Sequence, residues 1–395
     1  MNDVQIFKTD ITLHQKTMLN KLLNKYMIIF AKDKFDIGSI EDKFCQINLT
    51  SNIPINLRPY RCSLSDQKLI NDQVNKLLEK NLIKKSNSPY AFPVTLVDKK
   101  DEGKKTRLCI DLRKLNMISI PDNYPFPRID DIIDKLHNAK YFSTIDICSG
   151  FWHIKINPKD TYKLGFITMT DHYEWLVLPF GWRNSPAIFQ RIIYNILYKN
   201  NLTKFCHNYL DDILIFSDHF DSHLMHLELV LKSLIKENIK LKHSKCRFAQ
   251  TEVTFLGHVL SLNTMKPLND NLIPIKKFQI PKDTKHVQQF LGKINYYHKF
   301  IKNAPKKLAP LYNLLKKNSK FEWTSECQSA FDKIKTYLTS EPILAIYNPN
   351  AECFLFVDAS KTGLGSVLKQ IQNDNTLKPI AYFSQNFYLI KLTTA

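Results

Sequence analysis

No apolar run in this chain approaches the ~20 residues that a bilayer-spanning helix needs, so no membrane partner is expected. The 8 cysteines are scattered, and none forms a Cys-x-x-Cys pair. With no secretory leader, they are expected to be reduced thiols of an intracellular, cytoplasmic protein. Tandem repeats and low-complexity linkers are also lacking. Two or three compact domains are therefore expected for 395 residues, of which 44% are hydrophobic. Acidic residues are scarce: 37 Asp and Glu stand against 56 Lys and Arg, a net charge of +19. Such a balance suits a polyanionic partner, although a chain rich in Asn and Ile owes part of its lysine to biased base composition. The spacing of His219, His223 and His226 is open to a zinc site, but no cysteine lies close by, and it also fits the exposed start of a helix.

What is present is concentrated in Asn208-Tyr209-Leu210-Asp211-Asp212-Ile213-Leu214-Ile215-Phe216, two adjacent carboxylates between two apolar runs. The runs read as paired strands with the acids at or near their turn. Neighbouring residues on a flat strand point to opposite faces, so a turn is what lets both acids crowd one edge. No Lys or Arg lies between Tyr209 and Phe216 to neutralise them, which calls for a divalent cation. An ordinary Asp-rich hairpin turn is the competing reading of this stretch alone. A second run, Lys140-Tyr141-Phe142-Ser143-Thr144-Ile145-Asp146-Ile147, carries one more acid, 211 − 146 = 65 positions from Asp211. Three acids from two neighbouring strands would hold two Mg²⁺ ions, an arrangement that stabilises both oxygens of an in-line phosphoryl transfer.

Over residues 53–260 the chain resembles the reverse transcriptase of long-terminal-repeat retrotransposons, closest to the gypsy-like group and related to retroviral enzymes. The matching segments occur in family order, beginning with Pro59-Tyr60-Arg61, Ser88-Pro89-Tyr90-Ala91 and Arg107-Leu108-Cys109-Ile110-Asp111-Leu112-Arg113-Lys114-Leu115-Asn116. Tyr124-Pro125-Phe126-Pro127-Arg128-Ile129, residues 142–151, Leu178-Pro179-Phe180-Gly181 and Ser185-Pro186-Ala187-Ile188-Phe189-Gln190 follow. Tyr209-Leu210-Asp211-Asp212 and Phe255-Leu256-Gly257-His258 complete the series.

The resemblance implies an α+β right-hand polymerase fold, with fingers, a palm built on an antiparallel sheet, and a thumb, followed by the start of an RNase H-like α/β domain. It implies an RNA-directed DNA polymerase working on an RNA template, a DNA primer, their RNA/DNA hybrid and dNTPs. Two Mg²⁺ ions are expected per active site, with Mn²⁺ able to substitute. Asp146, Asp211 and the backbone carbonyl of Ile147 are implied as metal ligands, and Asp212 as a weaker one. Lys99, Arg107 and Lys245 match cations that grip the triphosphate, and an Arg fork beside Lys point charges suits a flexible polyphosphate. Ser149, Gly150, Phe180 and Gly181 match the nucleotide pocket. Phe151 matches the aromatic beneath the sugar that leaves no space for a 2′-hydroxyl. Tyr209, Phe255, Leu256 and Gly257 match contacts to the primer and template.

The same resemblance divides the chain into residues 1–52, a segment between protease and polymerase; 53–262, fingers and palm; 263–345, helical thumb and connection; and 346–395, a truncated RNase H-like domain. No Asp-Thr-Gly or Asp-Ser-Gly triplet occurs, so an aspartic protease is not expected. After Glu352 the acids are Asp358 and Asp374, too few for a nuclease that uses about four, so RNase H activity is expected to be absent. A complete element would place the protein in a virus-like particle. A decayed or co-opted fragment that only binds nucleic acid is the competing function, and an RNA-dependent RNA polymerase is a third.

Periodicity adds local expectations. Leu19, Leu22, Leu23 and Tyr26 form a short helical stripe, and a helix starting at Ser65 carries Ile70, Val74, Leu77 and Leu78. Asp101-Glu102-Gly103 reads as a hairpin turn. Ser185 is expected as N-cap of a helix with Pro186 at its first position, burying Phe189, Ile192, Ile193 and Ile196. Ser325 with Gln328 reads as a capping box before Phe331. Lys285, Lys293, Lys299, Lys302, Lys306 and Lys307 either track a duplex backbone or solvate helix faces.

Overall fold

The computed structural model describes residues 11–41, 43–98, 106–316, 320–340, 342–360, 363–372 and 374–386. By internal contacts the chain divides into two units, Met1–Pro127 with Ser143–Ala249 and Arg128–Phe142 with Gln250–Ala395.

The first unit is built on two larger sheets, with a two-stranded parallel pair of Phe44–Cys45 and Lys155–Ile156 beside them. One is five-stranded, in the order Ile83–Lys85, His172–Trp175, Gly165–Ile167, Phe92–Asp98, Thr106–Ile110. Its last two strands pair antiparallel with Asp98 opposite Thr106, and the turn expected at Asp101-Glu102-Gly103 lies outside the described residues, as does Lys99. The other sheet is four-stranded, in the order Arg247–Gln250, Tyr141–Asp146, Asp212–Ser217, Cys206–Tyr209. Ile213, Leu214 and Ile215 are wholly buried, which fits a continuous apolar strand covered on both faces.

Helix Leu64–Glu79 starts one residue before the expected Ser65, because Ser63 is its cap and accepts the Asp66 N–H. Helix Ser185–Lys199 likewise corrects its cap. Asn184 stands at that position, and Ser185 is the first helical residue, its Oγ donating to the Pro179 carbonyl at 2.8 Å. Phe189, Ile193 and Ile196 are buried as expected; Ile192 is only half-buried, and Leu197 takes the buried place instead.

The histidine cluster also differs from its expectation. Only His219 is exposed at the start of helix Phe220–Lys236. His223 is fully buried, with Nε2 2.7 Å from Ser143 Oγ and Nδ1 2.9 Å from Ser217 Oγ, and Ser217 Oγ reaches His226 Nδ1 at 2.8 Å. Both ring nitrogens of His223 are thus engaged by hydroxyls. Among the described residues no group of three or more His, Cys, Asp or Glu side chains is placed so as to hold a metal ion.

The segment expected as a connector is folded into this unit. Helix Leu13–Lys25 opens with a capping box between Thr12 and Gln15 and buries Leu19 and Leu23. Beyond it the Ile29 carbonyl accepts the Leu241 N–H and the Ala31 N–H donates to the Leu241 carbonyl, both at 2.9 Å.

In the second unit, strands Glu252–Phe255, His258–Ser261, Thr264–Pro267 and Leu344–Ala345 form one sheet in that order. Helices Asn269–Lys276, Thr284–Asn295, Ala304–Asn313 and Ser325–Thr339 follow the hairpins. The last is capped by Thr324 and not by Ser325. Gln328 closes no box there, because its Oε1 accepts the Trp323 indole N–H and its amide donates to Asp332. Lys299 pairs with Asp130 at 2.6 Å, and Lys307 sits 4.2 Å from the Tyr337 ring centre, so these two cations already have partners. A separate antiparallel sheet runs Cys353–Ser360, Gly363–Ile371, Leu377–Asn386. Among the described residues no helix is long and apolar enough to cross a membrane.

Candidate active site

The acidic hairpin forms as its residue pattern demands. Tyr209 lies opposite Asp212 in the antiparallel pair, which leaves Leu210 and Asp211 as a two-residue turn. Leu210 adopts φ 53, a left-handed conformation that is unfavourable for a branched side chain. Gln190 holds it there. Its Oε1 accepts the Leu210 N–H at 2.7 Å, and its Nε2 donates to the Asn208 carbonyl at 3.1 Å. Gln190 is 1% exposed, so both bonds are shielded from water.

The Asp146 strand meets that turn directly. The Ile147 N–H donates to the Asp211 carbonyl at 3.2 Å, and the Asp146 carbonyl accepts the Lys242 N–H at 2.9 Å. Residues 65 positions apart in sequence (211 − 146) thereby share one strand end. Gly150 closes the site from below. A Cβ on it would lie 2.1 Å from Asp211 Oδ1, a space no side chain can share.

The electrostatics follow from this crowding. Burial first, then the charges of Asp146 and Asp212, push the Asp211 carboxyl up to about 7. Burial also raises Asp146, opposed by Lys245, whose Nζ lies 3.3 Å from its carboxylate, and by Lys242. Asp212 is raised by burial of its carboxyl and by Asp146, although much of the residue is exposed. Among the described residues Asp211 Oδ1 is buried with no hydrogen-bond partner. An orphaned acceptor among mutually repelling carboxylates is chemistry that suits a divalent cation such as Mg²⁺ or Mn²⁺, although among the described residues these acids do not converge into a three-ligand group.

Beside the acids lies a cleft of about 450 Å³. Of the residues expected in the site, Arg107, Asp146, Ile147 and Ser149 line it, together with Phe180, Asp211 and Lys245. Arg107 lies over the Phe180 ring, 5.5 Å from its centre. Phe151 stands one layer back, 8% exposed, its ring 5.0 Å from Phe180 and 5.4 Å from Phe189. Gly181, at φ 94, has its carbonyl held by the Asn116 amide at 2.9 Å, and Asn116 Oδ1 accepts the Arg183 N–H at 2.8 Å. Tyr209 is 6.2 Å from the Phe126 ring. Phe255, Leu256 and Gly257 belong to the second unit, where Leu256 and Gly257 make a two-residue turn and the Tyr296 hydroxyl donates to the Leu256 carbonyl at 2.6 Å. Asp358 is exposed on the first strand of the last sheet.

Sequence reasoning gave no role to Gln190, Asn116, Lys34, Phe35, Trp152 or Lys242. A buried amide on an otherwise apolar helix face was the available signal for Gln190. Lys34 and Phe35 carry no local signal, because only the fold brings them to this cleft.

Residues 97–260 match the family model described as reverse transcriptase (RNA-dependent DNA polymerase), and residues 323–392 match an RNase H-like domain found in reverse transcriptase. The chain is 38% identical over 373 residues to the retrovirus-related Pol polyprotein from transposon 297 of Drosophila melanogaster, covering 93% of this chain and 35% of the relative. It is 33% identical to the transposon Tf2-3 polyprotein of Schizosaccharomyces pombe, covering 86% of this chain and 25% of that one. Among solved structures, the foamy viral protease-reverse transcriptase in complex with dsDNA superposes with a TM-score of 0.86 at 26% identity, covering 96% of this chain and 79% of that one. The same enzyme in complex with an RNA/DNA hybrid gives a TM-score of 0.81 at 26% identity, covering 96% and 51%. The chain thus spans about a third of the length of the transposon 297 relative. It carries a reverse transcriptase domain of polymerase fold and an RNase H-like domain, of the kind found in retrovirus-related Pol polyproteins of LTR transposons.

Proposed function

We propose that the chain is an RNA-directed DNA polymerase that extends a DNA primer with dNTPs on an RNA template and also copies DNA. The observation that carries this reading is the Ile147–Asp211 backbone bond, which sets Asp146 beside a buried, unpaired Asp211 oxygen at one cleft. We assign residues 53–262 to fingers and palm, 263–345 to thumb and connection, and 346–395 to the RNase H-like region. The nucleic-acid duplexes named for the foamy viral structures are the partners proposed for this chain.

Asp146, Asp211 and the Ile147 carbonyl would hold the divalent cations, with Asp212 as the weaker ligand. Two such cations, when bound, supply positive charge to the attacking and leaving oxygens of an in-line nucleotidyl transfer and favour the deprotonated primer hydroxyl. The chain's own residues bind and orient. Arg107 presents a planar fork at the cleft mouth, and stacking on Phe180 fixes its direction. Lys245 neutralises Asp146 and, on a flexible stem, can pass that contact to a polyphosphate oxygen. Lys99 is proposed as a further triphosphate cation. Ser149, Gly150 and Gly181 bring backbone close to the nucleotide, and Phe151 backs the ring wall under the sugar. Tyr209 and the turn Leu256-Gly257, with Phe255 before it, are proposed as primer contacts.

Cleavage of an RNA/DNA hybrid is proposed to be absent from residues 346–395. The acids there are Glu352 and Asp358, both exposed, and Asp374, which is engaged by Lys378 at 2.8 Å and by the Thr376 hydroxyl, fewer than the about four such a nuclease uses.

Primer extension on poly(rA)/oligo(dT) with Mg²⁺ or Mn²⁺ tests the reading. Wild-type protein is expected to incorporate dTTP, and Asp211→Asn to lose at least about 10³-fold in rate, since metal stabilisation is worth several kcal/mol. Incorporation unaffected by that substitution rejects the site. No incorporation by folded wild-type protein favours a co-opted element product that only binds nucleic acid.

A further inference from the structure

Residues 33–36 form a turn whose Lys34 and Phe35 line the catalytic cleft, although they lie in the segment that resembles the stretch between protease and polymerase. Asp33 Oδ1 accepts the Phe35 N–H at 2.6 Å and the Asp36 N–H at 2.9 Å, while Asp36 Oδ2 accepts the Lys32 N–H at 2.8 Å. The turn is pinned to the segment that follows Asp146. The Ser149 hydroxyl donates to the Lys34 carbonyl at 3.1 Å, and the Cys148 thiol to the Asp33 carbonyl at 3.7 Å. Two self-capping aspartates and two anchors leave this loop little freedom.

What the turn presents is a cation and a ring. Lys34 Nζ sits 4.5 Å from the Phe35 ring centre, and Phe35 stacks on Trp152 at 6.1 Å with planes 11° apart. Trp152 meets Phe180 edge-on at 5.8 Å, and Phe180 carries Arg107 over its face. Three cleft-lining rings therefore stand in a row with a cation over each end, Lys34 from residues 33–36 and Arg107 from the strand Thr106–Ile110. Lys242 and Lys245 also line the cleft, so four cations face the two lining carboxylates Asp146 and Asp211. A cleft with that excess is matched to a polyanionic small molecule, and the flat ring row suits a nucleoside beside it.

We propose that the Asp33–Asp36 turn is part of the nucleotide pocket, with Lys34 binding the polyphosphate of the incoming nucleotide and Phe35 extending its aromatic wall. This rests on the polymerase reading for the identity of the nucleotide, but the polyphosphate site stands on its own geometry. Trp152 and Trp175 line the same cleft, so their fluorescence reports binding without any turnover.

The test titrates inorganic tripolyphosphate, and separately dTTP with Mg²⁺, into wild type, Lys34→Ala and Lys34→Arg, and measures dTTP KM and kcat on a primed template. Lys34→Ala is expected to weaken both ligands and raise KM by about tenfold, the size of one lost charge-assisted contact, with kcat held within about twofold. Lys34→Arg is expected to restore most of that loss, which a merely structural lysine would not require. Unchanged binding and KM in Lys34→Ala overturn the proposal while leaving the polymerase reading intact. Wild type that binds tripolyphosphate through Lys34 yet extends no primer upholds the site and rejects polymerase activity.

Discussion

Gly150 and Phe151 show how much of this site rests on single side chains. An added methyl at Gly150 must displace the Asp211 carboxylate, 2.1 Å from where it would sit. Gly150→Ala is expected to cost about 1–3 kcal/mol in urea unfolding, as over-packing does, and to reduce incorporation far more than stability. A fully active Gly150→Ala would show that Asp211 has room to spare. Phe151 packs between Phe180 and Phe189 and not at the cleft surface, so its proposed grip on sugar identity runs through Phe180. Phe151→Ala is expected to admit ribonucleotides, read as a fall in the KM ratio of UTP to dTTP; an unchanged ratio removes that role. At this scale the placement of Arg107, Asp146 and Asp211 around one cleft follows motifs readable in the sequence, while the roles proposed for them are for experiment to decide. Gln190 was not given its role, since a buried glutamine announces no partner until the hairpin is folded against it.

Elements explain what single residues do not. The acidic turn is held in a left-handed conformation at Leu210 by helix Ser185–Lys199 through Gln190. Gln190→Leu removes both bonds and leaves buried backbone groups unpaired, a cost of about 1–3 kcal/mol. Incorporation is expected to fall with it, while Gln190→Asn, too short to span both groups, recovers neither; wild-type kinetics in Gln190→Leu would free the turn from this helix. The same sheet is tied to helix Phe220–Lys236 by His223, which bonds Ser143 and Ser217 on the two acid-bearing strands. Burial lowers the His223 imidazole from 6.5 to about 3. Its folded pKa lies below its unfolded one, so its stabilisation is complete above pH 6.5 and is lost as pH falls through that value towards about 3. The unfolding free energy from urea titrations is expected to fall as pH drops below 6.5, with a slope approaching about 1.4 kcal/mol per pH unit for this group. His223→Gln should flatten that slope, and an identical slope would remove His223 from the acid response. Paired strands and apolar helix faces were readable from periodicity; caps were misplaced by a residue where two hydroxyl-bearing residues or amides adjoin, as at Asn184-Ser185 and Thr324-Ser325.

On the scale of the whole chain, the net charge of +19 and the cationic cleft are consistent with a protein that holds nucleic acid and nucleotide together. Domain order was legible because motifs occur in sequence order, whereas the integration of residues 11–41 into the first unit depends on long-range backbone pairing with Leu241 that no local pattern encodes. Asp146, Asp211 and Asp212 are proposed to share divalent cations at this cleft. Paramagnetic resonance of Mn²⁺ titrated into protein with primed template and dTTP counts those ions directly. Bound Mn²⁺ is expected in wild type and is expected to be lost in Asp211→Asn, with binding in wild type strengthening as pH rises through about 7, to which burial and its neighbours push the Asp211 carboxyl. Equal Mn²⁺ binding in wild type and Asp211→Asn would contradict this proposal.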